Sequence, residues 1–226
     1  MNGILRTRKA LLAGAMILGP ACIVLGHVLN VNASETPAQY VRDISAHHAA
    51  FIAGSVIVSA GAFLMIPAMA GMMRLAPGRG GALVTTGAVL ASISAAALGA
   101  GTLMLGVVMG MLVPAHASLA AQVDQIGNHS GIGSLPFILA PGLMIGTLLA
   151  AIGLFRAGLT RQWPAILLGI SVIPVFAAPS GGALGAVLHL PLAIAIAALG
   201  LEVWHSGNPA RQRSPATRRE PQQAQA

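Results

Sequence analysis

Among the side chains that commonly do chemistry in proteins, histidine is the one that this sequence contains most often. The 226 residues include seven histidines, five acidic residues and one cysteine. Imidazole nitrogens bind transition metals, and imidazole changes its charge near neutral pH. Five residues would meet if the apolar segments near them pack together: His27, Asp43, His47, His116 and His189. We predict that they form a metal site or a proton-sensing cluster.

Two positions in this set carry the prediction. Asp43 and His47 are four residues apart, so they can meet on one helix face, where a carboxylate favours imidazolium or fixes the tautomer of a ligating ring. His189 lies inside an apolar segment, where an ionisable residue usually has a function. The plainer alternative is that these histidines are interfacial residues at helix ends, each with one edge in water.

Other chemistry has little support in the sequence. No P-loop, HExxH, GxSxG or EF-hand pattern is present, and the single Cys22 excludes a disulfide framework or a CxxC metal site. Methionines cluster near Met69 and Met109 and could bind Cu(I), although methionine more often fills gaps in a core. The sequence therefore identifies no catalytic residue and no cofactor.

The elements that position the histidines follow from composition. Hydrophobic residues make up 56% of the chain and charged residues 8%, whereas a soluble domain carries about 25% charged residues. A chain with so few charges cannot cover its surface with polar groups, so much of that surface must face lipid. We predict an all-α, polytopic transmembrane helix bundle, located in a bacterial inner (plasma) membrane.

Apolar stretches set the number of spans, because about 20 residues cross the hydrocarbon core. Six stretches qualify or nearly do, over residues 10–31, 49–73, 82–113, 135–155, 163–178 and 183–204. They predict a six-helix transmembrane domain over residues 1–205. The tail, residues 206–226, is rich in proline, glutamine and arginine and is predicted to be disordered and cytoplasmic.

The charges predict the orientation of these spans. A topology with both ends in the cytoplasm places every lysine and arginine except Arg42 inside, as the positive-inside rule requires. All histidines except His205 then lie at or near the outer side. Cleavage after Ala33 would remove the first span and leave five. Because the charges lie at span ends and in the tail, the net charge of +7 indicates a bilayer as partner and no nucleic acid.

Small residues predict how the spans pack. Three GxxxG pairs let helices approach closely or build a homo-oligomer face: Gly106/Gly110, Gly142/Gly146 and Gly181/Gly185. Three short matches, in the same order in both halves, predict an inverted repeat of three spans. They are Ile17–Pro20 with Ile138–Pro141, Ile66–Pro67 with Ile173–Pro174, and Gly80–Leu83 with Gly181–Leu184.

The basic N-terminus, the loop ending Tyr40-Val41-Arg42-Asp43 and the proline-bearing second span closed by arginines resemble small six-span membrane proteins of GC-rich bacteria that carry no assigned activity. The resemblance implies an architecture and brings no functional residue with it. The leading functional hypothesis is a small transporter or permease-like protein. A haem- or metal-binding redox protein that uses the outer histidines is the second, and a non-enzymatic accessory or scaffold membrane protein is the third.

Overall fold

The computed structural model describes residues 2–30, 37–115, 118, 135–159, 161–177 and 182–206. Every regular element in these ranges is an α-helix, which confirms the all-α prediction. The helices are α1 (Asn2–Leu29), α2 (Pro37–Ala46), α3 (His48–Met73), α4 (Gly81–Ala115), α5 (Leu135–Arg156), α6 (Trp163–Ala177) and α7 (Gly182–His205).

Four of these helices, α1, α3, α4 and α7, are long and apolar enough to cross a membrane. Two shorter apolar stretches, Ala140–Arg156 and Trp163–Val175, belong to α5 and α6. Large apolar side chains cover the outside of the bundle, as Ile93, Ile173 and Val187 do with more than half of their surface exposed. A surface of this kind is stable in lipid and not in water, so the chain is a helical integral membrane protein.

The six helices other than α2 follow one another around a closed ring, in the order α1, α3, α4, α5, α6, α7, with α7 packed on α1. Neighbours run antiparallel: Gly19 of α1 meets Gly61 of α3, while the later Gly26 meets the earlier Gly54. Lys9 Nζ donates a hydrogen bond to the carbonyl oxygen of Ser206, so both ends of the ring lie at one end of the bundle. Any sequential antiparallel ring would have these contacts, so the inverted repeat stays a prediction.

Glycines seven residues apart join two of the antiparallel pairs. An ideal Cβ on Gly26 would lie 2.7 Å from the Gly54 carbonyl oxygen, and one on Gly54 would lie 2.8 Å from that of Gly26. Gly19 and Gly61 repeat this contact one heptad away. The α4–α5 pair uses the same arrangement, with Gly87 against Gly146 and Gly80 against Gly153. At these four contacts the backbones touch, and a side chain on either helix would force them apart.

The predicted GxxxG pairs also pack within the chain where the structure describes them. Gly106 faces Ser55 and Gly110 faces Ile52, both on α3. Gly142 and Gly146 face α4, and Gly185 faces α1, while Gly181 lies outside the described residues. The prediction of close helix packing is confirmed at these glycines, and a homo-oligomer face built from them stays a prediction.

The main core lies at the end of the bundle where α1, α4 and α6 begin. It contains residues of all six ring helices, with methionine prominent: Met16, Met65, Met69 and Met72 are almost fully buried. Flexible, unbranched methionine fills the irregular gaps between helices that are held close by glycine. This packing role agrees with the plainer interpretation of these residues.

A smaller apolar cluster fixes α2 across the opposite end of α3 and α4. Val41 and Ile44 of α2 are buried against Phe51 of α3 and Met109 and Val113 of α4. In the sequence, Thr36 suits a helix cap and Pro37 the first helical position, so they predict a single helix that runs from Pro37 into the second span. Instead the chain breaks at His47, whose φ of −129° and ψ of 30° are not helical. The break turns the apolar face of α2 back onto the bundle, where it is shielded from water.

The described basic residues separate between the two ends. All except Arg42 lie at the end that holds the main core, and we call this the basic end. They are Arg6, Arg8, Lys9, Arg74, Arg79, Arg156 and Arg161. His27, His47 and the first turns of α7 lie at the other end, which we call the histidine end. Residues 207–226 of the predicted tail lie outside the described residues.

Candidate functional site

Two histidines meet where α1 packs on α7, near the histidine end. The rings of His27 and His189 are stacked, with centroids 4.4 Å apart and planes inclined by 28°. Gly185, one turn before His189, makes room for this pair. An ideal Cβ on Gly185 would lie 3.4 Å from His27 Nδ1 and 3.7 Å from its Cγ, so even a single methyl group there would be in van der Waals contact with the ring.

Both rings of the histidine pair lie at least partly between helices. Only 8% of the His27 surface is exposed, and His189 is half-buried. His189 lies on the stripe of α7 that also carries the buried Gly185 and Ile196, whereas Leu184 and Val187 cover the exposed face. The pair is therefore held between helices, in surroundings poor in water.

Hydrogen bonding distinguishes the two rings. Nδ1–H of His189 donates to the carbonyl oxygen of Gly185 at 2.7 Å, and His47 and His205 make the same local bond to Asp43 and Leu201 at 3.3 and 2.6 Å. When the ring of His189 is neutral, its Nε2 therefore carries the free lone pair.

His27 departs from this local pattern. Its Nδ1 is buried and has no hydrogen-bond partner among the described residues. An unsatisfied buried polar atom costs about 1–3 kcal/mol. The ring thus stacks on His189 without the local bond that His47, His189 and His205 make.

The structure assembles part of the predicted site. His27 and His189 come together, as the sequence led us to expect. His47 and Asp43 lie at the junction of α2 and α3, with His47 exposed. No three His, Cys, Asp or Glu residues within the described ranges are grouped closely enough to hold a metal ion. His116 lies outside the described residues, so its part in the prediction stays open.

The stacked geometry limits the chemistry of the pair. Two imidazolium ions with centroids 4.4 Å apart would repel each other strongly away from water, so a second added proton on the pair is disfavoured. A haem bound by both rings would lie between them, and stacking leaves no space for a porphyrin there. A tetrahedral metal ion would need two further ligands. Binding and passing one proton is the chemistry that the two rings can perform by themselves.

Buried hydroxyl groups inside the bundle were not singled out from the sequence. Ser55, Ser59, Ser94, Thr147 and Ser171 are at most 5% exposed. Ser59 Oγ donates to the Ser55 carbonyl oxygen at 2.7 Å, and Ser171 Oγ donates to that of Leu168 at 2.8 Å, so these two are satisfied on their own helices. No sequence signal marks such a serine, because its neighbour lies on another helix, as Gly142 lies opposite Ser94.

Comparison with known proteins identifies no relative of this chain. No protein-family model matches the chain, and neither a curated protein nor a solved structure matches it. The resemblance to small six-span membrane proteins therefore stays an expectation. The features of the chain that bear on function are the geometry of the histidine pair and its position between α1 and α7.

Proposed function

We propose that the chain crosses a bacterial inner membrane six times, with both ends in the cytoplasm. The antiparallel order of the ring helices supports this, as does the Lys9–Ser206 contact between its two ends. The gathering of basic residues at that same end also supports it, because lysine and arginine favour the cytoplasmic side. The helices α5 and α6 are shorter than the other four, but each is predominantly apolar and lies within the ring.

Reporter fusions test this topology. Fusions after Gly78, Gly158 and Ala226 should report a cytoplasmic position, and a fusion after Ser130 should report an outer one. Alkaline phosphatase and green fluorescent protein at each site give opposite signals and control for expression. An outer signal at Ala226 alone would mean that α6 or α7 does not cross.

The function that the geometry supports best is proton-linked transport by a small permease-like protein. The observation that carries it is the stacked pair of His27 and His189 between two apolar helices, in which His27 Nδ1 has no hydrogen-bond partner among the described residues. Ionisable residues inside a membrane domain mark proton and ion pathways, since their desolvation is otherwise unfavourable. The pair lies near the histidine end, from which a proton can reach it without crossing the main core.

Metal binding is a weaker second candidate. The unpartnered Nδ1 of His27 favours some ligand at this position, and His116 could supply a further nitrogen. Elemental analysis of the purified protein, with its visible spectrum, distinguishes this candidate, since a bound metal would be lost in a His27→Ala variant. Neither the stacking of the two rings nor the unpartnered Nδ1 of His27 is evidence about an accessory or scaffold role.

Proton movement is measurable without knowing the co-transported solute. Purified protein is reconstituted into vesicles loaded with a pH-sensitive dye, and a pH gradient is imposed, first alone and then with inorganic cations, amino acids or sugars. We expect proton entry above that of protein-free vesicles in at least one condition. His189→Ala should reduce it to the protein-free rate, because the pair is broken.

The matched control is His205→Ala, which removes an exposed histidine at the basic end and should leave the rate unchanged. Proton entry that survives in the His189→Ala variant would exclude the pair as the proton site. Vesicles that never exceed the protein-free rate under any of these conditions would contradict proton-linked transport itself.

A further inference from the structure

Two connections at the basic end meet beside the α4–α5 contact. One joins α3 to α4 over residues 74–80, and the other joins α5 to α6 over residues 157–162. Gly80, at a φ of +91°, turns the first connection into α4 and lies against the backbone of Gly153 and Ala157. Because glycine alone adopts this φ readily and leaves space for the neighbouring helix, the two connections are held together at this point.

Four arginines lie in or directly beside these two connections: Arg74, Arg79, Arg156 and Arg161. Arg79 precedes Gly80 and Arg156 precedes Ala157, so with about 3.8 Å between consecutive Cα atoms their Cα atoms are on the order of 10 Å apart. All four side chains are exposed. Both connections are anchored to the main core, since Ala76 is buried in it and Leu75, Ala157 and Leu159 pack against it. We call these four residues the arginine cluster.

The arginine cluster has no counter-charge among the residues that the structure describes. Neither connection contains an acidic residue, and no described side chain pairs with any of the four guanidinium groups. Glu202, the acidic residue described at this end, is on α7 and already has an interaction. The α1–α7 contact, where Lys9 binds Ser206, is on the other side of the ring from the α4–α5 contact.

We propose that the arginine cluster binds the headgroup of an anionic phospholipid such as phosphatidylglycerol. Guanidinium groups bind phosphate oxygens in pairs, and several of them around one phosphate discriminate against a zwitterionic lipid. Trp163, two residues after Arg161, is about half exposed at 46%, as an amphipathic ring at the headgroup level should be. A lipid of the cytoplasmic leaflet would place its phosphate among the arginines and its chains along the apolar outside of α4 and α5.

Trp163 is also the natural reporter of this site, since the chain has only one other tryptophan, Trp204. In a Trp204→Phe variant reconstituted into phosphatidylcholine vesicles, a minor fraction of brominated phosphatidylglycerol should quench Trp163 more than its mole fraction predicts. The same fraction of brominated phosphatidylcholine should not. A Trp163→Phe variant reports from Trp204 on α7, where we expect no such excess.

The test of the cluster is the Arg79→Gln/Arg156→Gln double variant. Each arginine near an anionic headgroup contributes about 1 kcal/mol, a factor of about five, so apparent affinity should fall by roughly 30-fold and the excess quenching should disappear. Arg6→Gln/Arg8→Gln removes the same charge from α1, where both arginines are exposed, and should keep the excess. Proton entry rates are a separate readout and do not enter this test.

Three results would overturn the proposal. The first is quenching by brominated phosphatidylglycerol that matches its mole fraction in the unsubstituted cluster. The second is an equal loss in both double variants, which would indicate a diffuse field in place of a site. The third is complete relief of the excess by millimolar inorganic phosphate, which would assign the cluster to the free ion and not to a lipid.

Discussion

The Gly87→Ala variant is expected to unfold far more easily than the Gly101→Ala variant, although each adds one methyl group to α4. A Cβ on Gly87 would meet the Gly146 carbonyl oxygen and lie 2.6 Å from the backbone nitrogen of Ala150. These are backbone atoms, so the methyl group can be accommodated only by moving α4 and α5 apart. Overpacking of this kind costs about 1–3 kcal/mol, and separation of the helices would also weaken the Gly80–Gly153 contact.

Gly101 is the matched control because an added Cβ there has nothing within 4 Å. Alanine should leave stability unchanged or raise it by up to about 1 kcal/mol through helix propensity. Unfolding by a denaturing detergent, followed by circular dichroism, gives both midpoints. Equal shifts for the two variants would show that the close approach of α4 and α5 does not contribute to stability.

The opposing glycine provides an independent check on the same contact. Gly146→Ala should resemble Gly87→Ala, since its Cβ would lie 2.6 Å from the backbone nitrogen of Ala91. The double variant should cost less than the two single variants together, because helices already separated by the first methyl group leave room for the second. Additive costs would mean that each glycine acts against a different neighbour.

The sequence predicted these helices well and their glycine contacts only in part. Apolar run length located the helices from α3 to α7 to within two residues, because a span must satisfy its backbone within itself, whereas α1 begins at Asn2, eight residues before the predicted span. GxxxG spacing found Gly106 and Gly146 but missed the heptads that begin at Gly19 and Gly80. Spacing marks a small surface on one helix, whereas the partner depends on which helix packs opposite, and this is a tertiary property.

The candidate site shows the same division. His189 attracted attention because an imidazole within an apolar run needs a partner, and that reasoning found His27 on α1. Asp43 and His47 were predicted to join this site from local helical spacing alone. It could not anticipate the break at His47, because burial of Val41 and Ile44 against α4 determines the direction of α2. Sequence spacing predicts neighbours within a helix, and packing decides which of them reach a shared site.

His27→Leu is expected to separate function from stability. Leucine has nearly the volume of histidine, so it can fill the same space between α1 and α7. It removes the buried, unpartnered Nδ1, a gain of about 1–3 kcal/mol, and it loses the ring stacking on His189, worth about 0.5–1.5 kcal/mol. The variant should therefore unfold at the same or a slightly higher detergent concentration, while proton entry falls to the protein-free rate.

His189→Leu is the variant with which the stability of His27→Leu is compared. It also abolishes the pair, but it removes a ring whose Nδ1–H is satisfied by Gly185 and leaves the unpartnered nitrogen of His27 in place. His189→Leu should consequently be less stable than His27→Leu, although both lose proton entry. If His27→Leu were the less stable of the two, His27 Nδ1 would have to be satisfied in the membrane. If His27→Leu kept normal proton entry, the pair could not be the proton site, because leucine cannot carry a proton. If the unsatisfied nitrogen of His27 is retained for function, His27→Leu must give two results together. It must keep or gain stability, and it must lose proton entry.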